Sequence, residues 1–490
     1  MKKHITVLFL LFSFVSLFSQ EVISENPLRL KGGLSDRRES IPIINSVSKE
    51  LSLFIVDRKT MYLNKYDKTF NLLDQLKFER PKTQAKNIID AVESNNGQYL
   101  FLVSNNSKKK LELITIDSQT KTTDLITTPI LSKNERYLEA FAHKNQIFIL
   151  TLIPKTSKIN VHKIKKAANI ETLEYDLTNE IFFDKYDKPM LLYRAFASLN
   201  SSKLNIERIE SDIPNALEAS SKKTKLYIQD DRIILSLDIS NRYSQLITLD
   251  LKTNSFDLTS IEKPQLDGVN RNNKQFVKSN SFLSKKLLYQ ISGMRGEMKF
   301  NVTDLDSKKI IKEITLQKED SISFKNTPII QEGGYYNSHR EMEKTQKFLR
   351  KIALSNIAVS VLHKQDTIRV TLGGVKEIAA GGGGFGMPMV GFGAIGGAVA
   401  GLGNTFVTPT FYAYSGYTHT KSTRIDCLFD ENITHVQGEV AVNAFDHIKE
   451  FSDGILFNKK AETVFKFNDY FIHGYYNSLH KKYFLRKFED

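Results

Sequence analysis

The chain has 490 residues, of which 25% are charged and 41% hydrophobic, so it is long enough to bury a large core. The formal net charge of +14 favours acidic partners, although lysines and acids mix along most of the chain instead of forming one block. The only cysteine, Cys427, excludes an intramolecular disulfide, so stability has to come from packing.

The first residues have the pattern of a secretory signal peptide. Lys2 and Lys3 precede an apolar run from Ile5 to Phe18, which is shorter than the roughly 20 residues that a membrane span needs. Ser19 stands at the cleavage position. We therefore predict a signal peptide over residues 1–19 and an exported mature chain without a transmembrane helix, in the periplasm, at the outer membrane or outside the cell. A retained membrane anchor is the alternative.

Short alternating runs separated by polar turns fill residues 46–372 and are typical of β-strands. Leu51–Val56, Met61–Tyr66 and Phe70–Leu76 form a predicted three-stranded meander. Aspartates lead the turns at positions 67, 117, 250 and 306, where a carboxylate can accept hydrogen bonds from backbone amides. The spacing of these turns predicts a recurring unit of about 50 residues, each with three or four antiparallel strands.

This pattern resembles that of secreted β-propeller proteins, at the level of the fold only. The resemblance implies an all-β protein of roughly six to eight blades, with an N-terminal arm over residues 20–45 and residues 423–490 completing the last blade. We also predict a strand over Lys347–Ala353. Because the chain has no Trp-Asp dipeptide and no kelch double glycine, the resemblance names no propeller family. A β-sandwich with a separate C-terminal β domain is the alternative.

One segment differs from the rest of the chain. Residues 378–420 contain no Lys, Arg, Asp or Glu over 43 consecutive positions, and 13 of the 25 glycines fall between Gly373 and Gly403. The sequence thus predicts a glycine-rich uncharged insertion over residues 373–422, near the last blade. We interpret it as a surface loop, with a segment ordered against a partner chain or lipid and a packed structural element as alternatives.

The insertion also contains the residues that we predict as a contact segment. Glycines four residues apart would lie on one face of a helix and allow close approach, but the glycine content and Pro388 argue against a stable helix. Aromatic residues accompany them, and we predict the run from Phe411 to Tyr417 as a strand. The contact segment consists of Phe385, Phe392, Gly393, Gly397, Gly401, Phe411, Tyr412, Tyr414 and Tyr417.

No motif in the sequence predicts catalysis, a cofactor or a metal. The run from Gly391 to Gly396 matches the dinucleotide pattern G-x-G-x-x-G, but the acidic residue that should follow about 20 positions later is missing. The histidines of the last quarter are too widely spaced for a compact zinc site, at positions 419, 435, 447 and 473. Catalytic residues therefore stay unknown.

These observations favour an exported, non-enzymatic binding or scaffold protein of the cell envelope. Its expected partners are anionic envelope components or another envelope protein, with no specific nucleic acid. One alternative is an exported hydrolase or lyase whose site lies in the propeller channel, and another is a self-associating structural protein of the envelope. Two or more convergent carboxylates or histidines in the channel would favour the enzyme.

Overall fold

The computed structural model describes residues 21–30, 38–95, 97–166, 169–197, 204–269, 276–333, 338–376, 408–419, 421–455 and 459–490. The predicted signal peptide and residues 377–407 lie outside these ranges. Up to residue 208 the elements are β1 (Val22–Pro27), β2 (Glu39–Ile44), β3 (Leu51–Val56), β4 (Thr60–Tyr66), β5 (Leu72–Glu79), β6 (Asn87–Asn95), β7 (Gln98–Ser104), β8 (Leu111–Asp117), β9 (Thr122–Ile126), β10 (Arg136–His143), β11 (Gln146–Leu152), β12 (Lys158–Lys166), β13 (Asn169–Asp176), β14 (Phe182–Phe183), β15 (Pro189–Met190), α1 (Leu192–Phe196) and β16 (Glu207–Arg208).

The second half of the chain continues the same alternation of strands and tight turns, with four of the five helices. Its elements are α2 (Leu217–Ser220), β17 (Thr224–Gln229), β18 (Arg232–Leu237), β19 (Tyr243–Asp250), β20 (Ser255–Glu262), β21 (Lys278–Ser284), β22 (Leu287–Met294), β23 (Glu297–Asp304), β24 (Lys309–Gln317), β25 (Ile329–Gly333), β26 (Ser338–Met342), α3 (Thr345–Ala353), β27 (Asn356–Lys364), β28 (Thr367–Val375), α4 (Pro409–His419), β29 (Ser422–Phe429), α5 (Ala444–Asp453), β30 (Lys459–Phe467), β31 (Tyr470–Asn477) and β32 (Lys482–Phe488).

These strands form a β-propeller. Among the described residues there are seven sheets of four or five strands, which we number as blades 1 to 7, and one two-stranded hairpin, β14–β15. From the axis outwards, the blades are β2–β5, β6–β9, β10–β13, β16–β20, β21–β24, β27–β28–β29–β25–β26 and β30–β31–β32–β1. Contacts between blades join β30, β2, β6 and β10 in turn, and β21 with β27, so these strands lie nearest the axis.

Stacking of the blades explains the hydrophobic pattern. All six residues of β3 are buried, whereas most residues of the outer strand β5 are exposed, because the middle strands of a blade are covered on both faces. Between blades 1 and 2 the Phe54 ring meets Tyr99 and Phe101 edge-on, with ring centroids 4.9 and 4.8 Å apart. The hydrophobic core therefore lies between neighbouring blades.

The predicted aspartate turns occur as side-chain caps of hairpins. Asp67 accepts hydrogen bonds from the backbone amides of Thr69 and Asn71, and its pKa is lowered to about 2, mainly by the Asn71 side chain. Asp117 and Asp250 cap their turns through amides two and three residues on. In the fourth turn the capping carboxylate is Asp304, two residues before the expected position.

The ends of the chain close the ring, which differs from the expected arrangement. Within the expected arm over residues 20–45, β2 is the innermost strand of blade 1, and β1 pairs antiparallel with β32, from Val22 opposite Arg486 to Pro27 opposite Lys482. Residues 423–490 do not complete a single blade, because β29 belongs to blade 6 and β30–β32 form blade 7.

One predicted strand is a helix. The segment Lys347–Ala353 lies in α3, and the residues that it buries are Phe348, Leu349 and Ile352. This spacing places them on one side of a helix, whereas a strand would turn alternate residues to opposite faces. Helix α3 packs against the end of blade 6 and helps to form the pocket described below.

Candidate functional site

The structure divides the predicted contact segment into two parts. Phe385, Phe392, Gly393, Gly397 and Gly401 lie outside the described residues, so their role stays a prediction. Phe411, Tyr412, Tyr414 and Tyr417 belong to helix α4, and the first three have described side chains.

Helix α4 is packed into the body of the propeller. Phe411 and Tyr414 are 5% and 6% exposed, and the Tyr414 ring meets Phe445 of α5 edge-on with centroids 5.5 Å apart. Both residues share a core cluster with Val464 of β30 and Phe445. Our prediction of a strand with outward-facing tyrosines for this run is therefore wrong, and Phe411 and Tyr414 are core residues.

The start of α4 has a sequence signal that our prediction missed. Thr408 is the capping residue, and its Oγ1 accepts a hydrogen bond from the Phe411 amide at 3.0 Å. Pro409 follows as the first helical residue, where no amide hydrogen is needed. The Thr408 hydroxyl also donates to the Val464 carbonyl at 2.6 Å, which ties the start of the helix to blade 7.

Acidic side chains converge where the innermost strands of blades 2, 3 and 4 approach one another. Asp90 lies on β6, Glu139 on β10 and Glu207 on β16. A fourth acid, Glu210, follows β16, and the Arg208 guanidinium bridges it to Asp90, with Nη1 3.8 Å from Asp90 Oδ2 and Nη2 3.7 Å from Glu210 Oε1. The structure therefore contains the convergent carboxylates that we named above as a condition for an enzyme site.

Glu207 has the most perturbed carboxyl group of this cluster. It is 6% exposed, and burial is the main cause that raises its pKa to about 7. Glu218 and Glu139 raise the pKa further, whereas Lys222 and the Tyr412 hydroxyl oppose them. Near neutral pH this carboxyl is thus close to the balance between its two protonation states.

Helix α4 engages these carboxylates directly. The Thr410 hydroxyl donates to Glu210 Oε2 at 2.9 Å, and the Tyr412 hydroxyl lies within hydrogen-bonding reach of the Glu207 carboxylate. Two carboxylates of this cluster, Glu207 and Glu210, thus contact a packed helix. Their arrangement serves to hold α4 in place.

A pocket of about 340 Å³ lies at the end of blades 5 and 6, where β28 ends and β29 begins. Polar groups of β25, β29 and the residues after α3 form part of its wall, among them Gln331, Ser355 and Thr423. The basic pocket, as we call it, is defined by its five cationic residues, Arg295, Arg350, Lys351, Lys376 and Lys421.

The fold brings these cations together from separate elements. The Lys376 amide donates to the Lys421 carbonyl at 3.2 Å, which extends the β28–β29 ladder by one step and places both lysines side by side. At Gly374 an added Cβ would lie 2.8 Å from Ser355 Cβ and 3.2 Å from Ile352 Cα. Gly374 therefore allows the end of α3, with its basic residues, to pack closely onto β28.

The positive charge of the basic pocket is not compensated within the part of the chain that the structure describes. No carboxylate there lies within ion-pair distance of any of the five cations, and three of them, Arg295, Arg350 and Lys376, are exposed. Burial and then the neighbouring Arg350 and Lys421 lower the pKa of Lys351. An anion in the pocket would remove this repulsion.

A second, smaller cavity provides a contrast. It measures about 40 Å³ and is also lined by two arginines, Arg369 and Arg424. Here Arg369 Nη2 lies 3.2 Å from Asp426 Oδ2, and Arg424 pairs with both Asp426 and Glu332. Because its arginines have carboxylate partners, this cavity has no comparable demand for an external anion.

Two histidines of the last quarter, His435 and His473, serve separate structural contacts. His435 hydrogen-bonds to Asn326 in blade 6, and His473 to Glu462 in blade 7. Among the described residues no group of three or more His, Cys, Asp or Glu side chains could hold a metal ion. A search of the same residues for a helix long and apolar enough to cross a membrane found none.

Comparisons with known proteins assign no activity to this chain. No protein-family model and no curated protein matches the chain. Solved structures match at low similarity. A crystal structure of an ACO/RPE65 chimera is 11% identical with a TM-score of 0.29, covering 59% of this chain and 63% of the chimera, less than two thirds of its length.

Two further solved structures are propeller domains. The Nup133 β-propeller domain of Vanderwaltozyma polyspora is 12% identical with a TM-score of 0.26, covering 68% of this chain and 80% of that domain. The β-propeller domain of the trilobed protease from Pyrococcus furiosus is 11% identical with a TM-score of 0.28, covering 69% of this chain and 79% of that chain.

Proposed function

We propose that the protein is an exported, non-enzymatic binding module of the cell envelope, whose basic pocket holds an anionic group of its partner. One observation carries the proposal. Five cationic side chains surround a space of about 340 Å³ without a carboxylate partner in the described residues. Unpaired charges held this close favour a ligand of opposite charge.

The chemistry of the pocket suits a phosphate or carboxylate group. Arg295 and Arg350 can each offer two parallel N–H donors to such a group, and the lysines add point charges. The hydroxyl of Thr423 and the amide of Gln331 can complete the hydrogen bonds of an anion or of a sugar attached to it. The uncharged segment over residues 378–420 begins two residues after Lys376 in the sequence, so apolar contact with the same partner is part of the proposal.

Pyrophosphate binding tests the pocket. We expect calorimetry to show saturable binding to the wild type and at least about ten-fold weaker binding to the double variant Arg350→Gln/Lys421→Gln, because a charge-assisted hydrogen bond contributes about 1.5–3 kcal/mol. The matched control, Lys77→Gln/Lys109→Gln, removes the same charge from exposed positions of blades 1 and 2 and should bind like the wild type. Equal affinity in all three proteins, or no saturable binding to the wild type, would overturn the proposal.

Envelope association is tested separately. Fractionation of cells should recover the protein outside the cytoplasm, shortened near Gln20. Binding to vesicles containing anionic lipid should weaken between low and high salt if the basic pocket dominates, since exposed charges are screened over about 10 Å at 0.1 M. Recovery of the full-length chain in the cytoplasm would contradict export, and the pyrophosphate result would still stand on its own.

A further inference from the structure

The connections between the middle strands of the seven blades lie on one face of the propeller, because successive blades repeat the same strand order. We call it the middle-turn face. It consists of the turns β3–β4, β7–β8, β11–β12, β18–β19, β22–β23 and β31–β32, together with the two ends of the β28–β29 connection. Each of them has at least one exposed cation. Arg295 and Lys376 belong to the basic pocket, and the other five turns carry Arg58, Lys109, Lys155, Arg242 and Lys481.

Few carboxylates compensate the positive charge of the middle-turn face. The described residues of these turns include two aspartates, Asp57 and Asp238, and both are buried. Arg242 pairs with Glu262 of β20 at 3.0 Å. The other four cations outside the basic pocket have no carboxylate within ion-pair distance in the described part of the chain. An acidic partner can therefore approach this face without displacing an internal ion pair.

The opposite face of the propeller carries both signs of charge in direct contact. In its turns, Lys144 and Lys252 lie 2.9 and 2.6 Å from Asp231. Lys286 lies 2.6 Å from Asp306 in the same way. The cations of that face are thus partly neutralised within the protein, and the two faces differ in their charge.

The hairpin β14–β15 adds apolar side chains to the middle-turn face. It is attached to the β18–β19 turn, where Asn241 Nδ2 donates to the Lys185 carbonyl at 2.7 Å. Tyr186 at the tip of the hairpin is 67% exposed, and Ile181 and Leu191 at its two ends are 56% and 43% exposed. Large apolar side chains that are exposed close together mark a surface that binds a partner or a membrane.

We propose that the middle-turn face docks the protein onto the surface of an anionic phospholipid membrane. The turn cations contact the headgroup phosphates, and the hairpin places Tyr186 and Ile181 at the boundary between headgroups and acyl chains. The partner has to be an extended surface, because the cations are distributed around the whole ring and a small anion reaches the basic pocket alone. A polyanionic chain would match the charge and leave the apolar side chains in water. The proposal rests on the proposed function only in counting the basic pocket among the contacts.

Cosedimentation with vesicles of phosphatidylglycerol and phosphatidylcholine tests the charged contacts. We expect Arg58→Gln/Lys155→Gln to bind at least about ten-fold more weakly than the wild type, because each basic residue near an anionic membrane contributes about five-fold in affinity. Its affinity for pyrophosphate should stay unchanged, since neither residue lines the basic pocket. The matched control, Lys68→Gln/Lys121→Gln, removes the same charge from exposed turns of the opposite face and should bind vesicles like the wild type. Equal vesicle affinity of the two variants would overturn the proposal, whereas failure of wild-type pyrophosphate binding would contradict only the pocket.

A second variant tests the apolar contact. Ile181→Ser/Tyr186→Ser should bind the same vesicles at least about ten-fold more weakly, because burial of one large apolar side chain contributes about 1.5–3 kcal/mol. This loss should be the same at low and high salt, and binding to dextran sulfate, a polyanion without an apolar phase, should stay unchanged. Both side chains are exposed, so the melting temperature should match that of the wild type. Wild-type vesicle affinity of this variant would show that the face binds polyanionic chains and would overturn the membrane as its partner.

Discussion

Two buried carboxyl groups of this protein are treated in opposite ways by their neighbours. Asp238 contacts two lysines and keeps its charge, with its pKa held well below the usual range. Glu207 is almost as buried, but Glu218 and Glu139 lie among its neighbours, and its pKa is raised to about 7. Burial opposes ionisation of both groups. The lysines around Asp238 outweigh it, whereas around Glu207 the charge of Lys222 is countered by Glu218 and Glu139.

The raised pKa of Glu207 predicts a pH-dependent stability. An unfolded glutamate has a pKa of about 4.3, so the contribution of Glu207 is fully present below about pH 4 and is lost as the pH rises to about 7. Relative to Glu207→Gln, which cannot ionise at this position, the free energy of unfolding of the wild type should fall by on the order of 3 kcal/mol over this interval. Urea unfolding at several pH values measures the difference.

The control for this experiment is Glu79→Gln, at an exposed position of β5. The free energy of unfolding of this variant should change with pH in the same way as that of the wild type from pH 4 to pH 8. A constant difference between wild type and Glu207→Gln over the same interval would show that the Glu207 carboxyl does not titrate in the folded protein.

At the scale of elements, α4 shows why the uncharged segment was only partly understood from sequence. A sequence without charged residues is compatible both with an exposed glycine-rich loop and with a helix that is buried on most sides. The Thr408-Pro409 pair distinguishes the two, because the Thr408 hydroxyl accepts a backbone amide hydrogen bond at the start of a helix and Pro409 is the first helical residue. The glycine-rich part and the helical part of one uncharged run therefore need separate experiments.

Deletion of the glycine-rich part alone should preserve the fold. Lys376 lies beside Lys421, which follows the end of α4, and the helix is about 16 Å long. A Gly-Ser linker of about twelve residues in place of 379–406 can therefore span the distance from β28 to the start of α4. We expect wild-type circular dichroism and a similar melting temperature. The larger replacement of residues 379–420 removes α4 and should abolish cooperative unfolding or lower the melting temperature strongly.

A point variant in α4 tests the contribution of this helix to stability without deleting it. Phe411→Ala should destabilise the protein by about 3–5 kcal/mol, as is usual for truncation of a buried aromatic residue. If the shorter deletion also unfolds the protein, residues 379–406 are part of the core. If Phe411→Ala has no effect, α4 does not contribute to stability as its burial indicates.

For the whole molecule, the sequence predicted the fold best where strands are covered on both faces. Leu51–Val56 has the predicted bounds and is buried throughout, and the propeller itself is confirmed. Several innermost strands were missed, since strands such as β6 and β21 contain polar residues and do not alternate. The basic pocket could not be predicted either, because five separate stretches of the chain meet in it only once blades 5 and 6 have formed.

The closing strand β1 provides the last test of the whole ring. It pairs with β32, Asn26 Nδ2 donates to the Tyr66 hydroxyl of blade 1 at 2.9 Å, and the Leu28 amide donates to the Lys481 carbonyl at 2.9 Å. A chain that starts at Arg29 loses these contacts, each backbone hydrogen bond contributing about 1 kcal/mol. We expect a lower melting temperature and faster amide exchange in β32 than in β11 of blade 3. A chain that starts at Glu21 keeps β1 and should match the wild type. Unchanged exchange in β32 after the longer truncation would mean that the ring stays closed without its N-terminal strand.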